Sequence, residues 1–413
     1  MTTYTKFKAL MQSLEYNYRG VELSHVTALR AWALARGENT FKLTHFFKMF
    51  LAMDVQNLNL PNQNGFMATF MENYRKDHFE LFNNVVRNLS EAPSITNLFE
   101  LKNKISWHLF KDLKIIFVVF RILKKTDLRM IEKIHYGIEY AYWINTIMEL
   151  DKIDFSKVKK YLCMCHVLGM ENLLTQYFRK KGIETFSLQE GIYLVYKKNK
   201  VLGSIAYELF ETDHLLCWGQ YTKDEYSAYG IDPRRISVAG YPKGETIKPQ
   251  KEGNEFRNCL VLLAGPIFGD VNNKLLKILL GEKDHLKITL KPHPANYSEM
   301  SAFAVKNCFD ITKKGMTVGE CFESAKYDFC IAVNTTAYYE SWMAGVPCVR
   351  YYDERFDNFY GFDDFFSDEE QFKTMINGYR ICPKNENEVK EMLKYAIGFG
   401  LDNYDKVING NLL

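Results

Sequence analysis

Cysteine is absent from the first 162 residues, and all nine cysteines lie between Cys163 and Cys382. The count is odd and no CxxC pair occurs, so neither a disulfide framework nor a zinc site is indicated. Reduced thiols in a cytoplasmic protein are the simplest account. Long apolar runs are also missing. Met1 to Lys8 is polar with no long apolar region behind it, so no secretory signal is expected. The most hydrophobic run, Leu113 to Leu123, is interrupted by Lys114 and Arg121. It falls well short of the roughly 20 apolar residues that span a bilayer. With Lys111, Lys124 and Lys125 around it, the run suits an anionic membrane surface or a buried element capped by lysines, the second being favoured. An excess of one charge is lacking too: a net +3 on 413 residues argues against a dedicated nucleic-acid binder. No DxD follows a hydrophobic strand, so no metal or other cofactor is expected. The acidic stretches Asp353–Arg355, Asp363–Asp364 and Asp368–Glu370 read as solvated loops.

What is present is an alternation. Residues 1–155 read as helix-rich, with apolar residues at three and four spacing through His25–Leu34 and Phe41–Met53. This region offers no motif with chemistry attached, and an acceptor, a partner or a membrane surface are its possible ligands. From about residue 156 short apolar strands alternate with helices. Strands are expected at Tyr161–Val167, Ile183–Leu188, His214–Trp218 and Ile236–Ala239, closing a first half at 242. Residues 243–257, rich in Lys, Glu, Gly and Pro, read as a linker. A second half, 258–413, repeats the pattern with strands at Cys259–Leu263, Leu286–Leu290, Tyr327–Val333 and Cys348–Tyr351. Strands alternating with helices imply right-handed βαβ units and parallel sheets. Two such α/β halves would face each other across a ligand cleft.

The residues able to do chemistry sit at the carboxyl ends of these strands, where open α/β sheets bind ligands. Lys291-Pro292-His293-Pro294 ends one strand, and its prolines stiffen the loop and hold the imidazole in one direction. An imidazole and a lysine there can stabilise a phosphate. Asn334-Thr335-Thr336 ends the next strand at a helix start, with Glu340 on the same helix face as Thr336. Hydroxyls would take a phosphate and the carboxylate would hold ribose hydroxyls. Gly265, just after Cys259–Leu263, belongs with the same nucleotide seat. Gln189-Glu190-Gly191 ends a strand of the first half, where a carboxylate can take a proton from a hydroxyl. Alone, that tripeptide equally fits a turn glutamate facing water. Asp213, Trp218-Gly219 and Gly240-Tyr241-Pro242 are either cleft residues or ordinary strand ends.

In this order the motifs resemble the bacterial GT-B glycosyltransferases of surface polysaccharides, capsule and lipopolysaccharide included. The group comprises sialyltransferases, capsule Kdo transferases and, more distantly, teichoic-acid glycerophosphotransferases. The similarity covers about residues 160–355 and implies a GT-B pair of Rossmann-type domains. It further implies that Glu190 is the general base and His293 the phosphate ligand and acid. Lys291, Pro294, Asn334, Thr335, Thr336, Glu340 and Gly265 would then bind the nucleotide. Gln189 stands where the sialyltransferases carry a first acidic residue, and threonines stand for their serines. The implied activity is inverting, metal-independent transfer from a nucleotide sugar, CMP-sialic acid first, to a glycan hydroxyl. The partners are thus donor and glycan acceptor, with peripheral contact at the inner face of the cytoplasmic membrane as an option. A nucleotide-hexose transferase, a sugar-nucleotide epimerase and a non-catalytic carbohydrate-binding component are the rivals.

Overall fold

Runs such as Phe329–Ala332, buried at every position, have no polar alternation because both faces of the strand are covered. That is the condition of a parallel sheet between helical layers, and the computed structural model contains two of them. It describes residues 2–38, 43–62, 64–71, 76–106, 108–250, 256–381 and 384–410. The first sheet comprises β1 (Phe66–Phe70), β2 (Ser94–Asn97), β3 (Lys160–Cys163), β4 (Glu184–Leu188), β5 (His214–Cys217) and β6 (Ile236–Val238). Its order is β6-β5-β4-β3-β1-β2, every pair parallel. The second comprises β7 (Asn258–Leu262), β8 (Lys287–Lys291), β9 (Asp310–Ile311), β10 (Phe329–Ala332), β11 (Cys348–Tyr351) and β12 (Phe365–Phe366). Its order is β9-β8-β7-β10-β11-β12, again all parallel. Strand order reverses at β1/β3 in one sheet and at β7/β10 in the other. Those are the switch points at which such sheets open a crevice. The fold is the expected GT-B arrangement of two Rossmann-type halves.

The first sheet begins earlier in the chain than the sequence suggests. β1 and β2 lie within the stretch read as helix-rich, and β1 pairs with β3 from Phe66–Lys160 to Thr69–Cys163. α1 (Lys76–Arg87) connects β1 to β2, and α2 (Leu109–Ile122) and α3 (Met130–Leu150) run between β2 and β3. The helix expected over Phe41–Met53 is instead a 3-10 turn, Leu43–Phe50, followed by the strand Leu51–Met53, with Phe41 and Lys42 outside the described residues. That strand pairs antiparallel with Asn103–Ile105, and this long-range pairing overrides the local periodicity. The helix read over His25–Leu34 is two, broken at Thr27, whose hydroxyl donates to the Leu23 carbonyl at 2.9 Å. Residues 243–250 of the expected linker are not loose. Lys248 N–H donates to Met343 O at 2.8 Å, while 251–255 lie outside the described residues.

The chain's last helices return to the first half. The helix Ala337–Met343 stays on the second sheet, but the helix Glu386–Ala396 packs against the helix Gln220–Tyr229. Tyr404 donates to Gly240 O at 2.7 Å, and Asp405 accepts from Ser90 N–H at 2.8 Å. One apolar core therefore runs through both halves, joined by Trp218, Tyr241, Ile397 and Tyr404. The contact is tight enough to specify glycine at Gly219. A Cβ there would lie 2.4 Å from Tyr395 O and 2.5 Å from the Ala396 carbonyl, both backbone atoms. Gly219→Ala should therefore cost about 1–3 kcal/mol, read as an earlier urea midpoint with unchanged slope.

Candidate active site

Register brings three loops of the second half to one level. Leu262 of β7 lies opposite Lys291 of β8 on one side and Ala332 of β10 on the other. Leu263–Gly265, Pro292–Pro294 and Val333–Thr336 therefore leave the sheet side by side. His293 has extended backbone, and its Nδ1 accepts the Ala295 N–H at 3.2 Å. With Nδ1 engaged as acceptor, the neutral ring carries its proton on Nε2. The ring lies over Gly265, about 3.6 Å from where a Cβ would stand, so β7 and β8 present one continuous wall.

Asn334 is the strained residue of this wall, with φ at 39°, in the left-handed region that asparagine tolerates better than most. Its side-chain Nδ2 and Oδ1 are both buried and have no hydrogen-bond partner among the described residues. An amide left so costs roughly 1–3 kcal/mol, which a bound polar ligand would recover. Thr335 Oγ1 accepts from Ala337 N–H at 3.4 Å and Thr336 Oγ1 from Ile192 N–H at 3.2 Å. Each hydroxyl keeps its own proton to donate. Glu340 Oε1 accepts from the Tyr241 hydroxyl and from Lys243 Nζ, the latter at 2.8 Å. Burial works against the Lys243 charge, but Glu340 outweighs it and holds the ammonium above the usual lysine range.

On the facing wall, Glu190 follows β4 on a loop fixed by its neighbour. Gln189 is buried; its Oε1 accepts from Trp218 N–H at 2.9 Å, and its Nε2 donates to Gly191 O at 2.7 Å and to Thr222 Oγ1 at 3.1 Å. A carboxylate at position 189 has no proton for those two acceptors, which gives a physical reason for an amide where the resembled group is acidic. Glu190 itself is partly exposed, with Oε2 3.8 Å from Nδ1 of His78. Behind it, Glu171 is fully buried and accepts from Met164 and Cys165 N–H at 2.9 and 3.0 Å. Burial pushes the Glu171 carboxyl up from 4.5 to about 8, those N–H groups resist, and the Glu190 charge adds to the push. Between those two values the native state holds a proton that the unfolded chain releases, so stability falls as pH rises through the window. Melting temperature followed from pH 5 to 9 should show this decline, and Glu171→Gln should flatten it.

The two walls enclose a cleft of about 640 Å³. Glu190, Gly265, Lys291, His293, Pro294, Asn334, Thr335, Thr336 and Glu340 all line it. The Ile192–Thr336 hydrogen bond crosses it, tying the Glu190 loop directly to the threonine pair. Of the ambiguous strand ends, Trp218 and Tyr241 line the cleft. Asp213 instead sits at the far end of β5, holding Arg179 Nε and the Thr185 hydroxyl at 2.8 Å each. The acidic stretches are not all solvated: Asp364 is buried and takes Arg350 Nε at 2.6 Å and the Tyr338 hydroxyl. Arg36, Lys76, Asp77, His78 and Lys243 line the cleft without having been singled out in the sequence. For Lys76–His78 the nearest signal is the apolar run Phe66–Phe70, which suits a strand but does not tell its partner. No group of three His, Cys, Asp or Glu suited to a metal occurs among the described residues.

No family model matches the chain, and no curated protein matches it by sequence. Solved structures do. The S. aureus MnaA–UDP complex aligns over 84% of this chain and 97% of its own, at TM-score 0.50 and 10% identity. The lipopolysaccharide outer core galactosyltransferase WaaB, in apo form, aligns over 84% and 99%, at 0.45 and 12%. The Neisseria meningitidis UDP-GlcNAc 2-epimerase bound to UDP-GlcNAc aligns over 84% and 98%, at 0.46 and 12%. At such identity the likeness to MnaA concerns the fold.

Proposed function

We propose that the protein is an inverting, metal-independent glycosyltransferase that moves a sugar from a nucleotide donor to a hydroxyl of a cell-surface glycan. The observation that carries this reading is the division of one cleft into two chemically unlike walls. On one side Glu190 stands at the end of β4, with Asp77 and His78 of α1 beside it in the lining. On the other stand an imidazole with its proton on Nε2, a lysine, two hydroxyls and the unsatisfied amide of Asn334. Such donors suit a phosphate whose charge grows as the bond to the sugar breaks. A base opposite the leaving group suits in-line attack by an acceptor hydroxyl and inversion at the anomeric carbon. Glu340, anchored through Oε1, retains Oε2 for ribose hydroxyls.

A CMP-linked acidic sugar is the favoured donor. Arg36, Lys76, Lys243 and Lys291 line the cleft together with Asp77, Glu190 and Glu340, and the preference for CMP comes from the resemblance of the motifs to the sialyltransferases. A UDP-hexose transferase or a sugar-nucleotide epimerase is the second reading, favoured by the MnaA–UDP complex, whose protein holds UDP on this fold. A thermal-shift panel of CMP, UDP, GDP and CDP separates the donors, since saturation at about 100 times Kd adds about 2.7 kcal/mol to stability. CMP is expected to raise the melting temperature most. A larger shift with UDP would move the assignment to the second reading, and no shift with any of the four would sink both. Incubation with donor alone, watched for an isomerised sugar, distinguishes epimerase from transferase.

A further inference from the structure

Exposed large apolar side chains are concentrated in the stretch before β3, and α2 carries the densest group. On this 14-residue helix, roughly 21 Å long, Ile115 and Val119 are buried and Leu123, just beyond it, continues that stripe. Its inner side meets α3 so closely that a Cβ on Gly137 would lie 2.7 Å from Ile116 Cα. The outer stripe should therefore be polar, and it is not. Phe110 is 89% exposed, Phe117 65% and Leu113 49%, at spacings that place them on one face. The sequence reading favoured a buried element capped by lysines; the helix is instead buried on one face only.

Apart from Asp127 at its end, the exposed charges along residues 110–127 are all positive. Lys114, Arg121, Lys124 and Lys125 are exposed, and no ion pair among the described residues involves any of them. The one acidic residue between 110 and 126 is Asp112, which is buried. No described helix is long and apolar enough to cross a membrane, so the stripe is not part of a span. Exposed phenylalanines among cations with no ion pair to the described residues fit the boundary between acyl chains and anionic headgroups, where apolar area and charge add. A second copy of the chain would bring the same cations face to face and be repelled. We propose that the outer face of α2 docks the protein on an anionic phospholipid surface. The proposal is independent of what the cleft binds.

Co-sedimentation of the full chain with vesicles tests it. Binding is expected to vesicles containing phosphatidylglycerol and to be at least about tenfold weaker to pure phosphatidylcholine. Raising salt to about 1 M, where the Debye length is about 3 Å, should weaken the first but not abolish it, because the apolar part persists. Phe110→Ser with Phe117→Ser, and separately Lys124→Glu with Lys125→Glu, should each reduce binding roughly tenfold or more, with melting temperature and nucleotide shifts unchanged. Equal binding by these variants, or no binding by the wild type, overturns the proposal. So does a vesicle-free dimer in sedimentation velocity that the phenylalanine variant dissolves, since the face would then belong to a second copy.

Discussion

Replacing His293 by alanine is expected to lower the rate of transfer by about 10²- to 10³-fold while leaving the fold intact. The magnitude is that of removing one well-placed donor from a charge that develops in the transition state. The loop should survive, because Pro292 and Pro294 fix its backbone independently of the imidazole. The loss includes the 3.2 Å bond from Ala295 N–H to Nδ1, at a partly exposed site, worth about 1 kcal/mol. The loss should therefore appear in kcat rather than in donor KM, since on the proposed reading Lys291, Thr335 and Thr336 would still hold the ground-state phosphate. His293→Gln, which keeps an N–H donor, should recover part of the rate. A full-speed alanine variant, or one that merely fails to bind donor, would remove His293 from the chemistry and leave it a loop residue.

The legibility of this chain follows from where its signals are local. Strand ends such as Lys291–Pro294 and Asn334–Thr336 are short segments whose residue types encode both geometry and chemistry. Their convergence then follows from parallel register, with Leu262 between Lys291 and Ala332. The first half was harder to read. β1 enters its sheet across the long excursion through α1, α2 and α3, and nothing local in Phe66–Phe70 announces a partner at Lys160–Cys163. His78 was consequently hidden, because its relation to Glu190 depends on that pairing. Lys243 was hidden for the opposite reason: its neighbourhood looks like a linker, and Glu340, distant in sequence, pins it. The outer face of α2 is not legible in the sequence because periodicity reports which residues are apolar, not which face meets α3.

Glu190→Gln should be the most damaging conservative change in the cleft, slowing transfer by about 10²- to 10⁴-fold. The amide preserves size and can still accept hydrogen bonds, but it cannot take the acceptor's proton. Its loop should be undisturbed, because Gln189 fixes that turn through Trp218, Gly191 and Thr222 rather than through the Glu190 side chain. Donor binding should persist, and the nucleotide that shifts the wild-type melting temperature should shift the variant equally. A base that must be ionised imposes an acid limb on the pH–rate profile, and that limb should vanish in the variant. His78, 3.8 Å from Oε2, offers the internal control. Were Glu190 only a counter-ion that holds His78 in place, His78→Ala would cost as much as Glu190→Gln, and the acid limb would survive in the glutamine variant. If Glu190 carries the proton, removing His78 can only tune it. The pair of profiles therefore decides whether this wall of the cleft holds the base or merely a salt bridge.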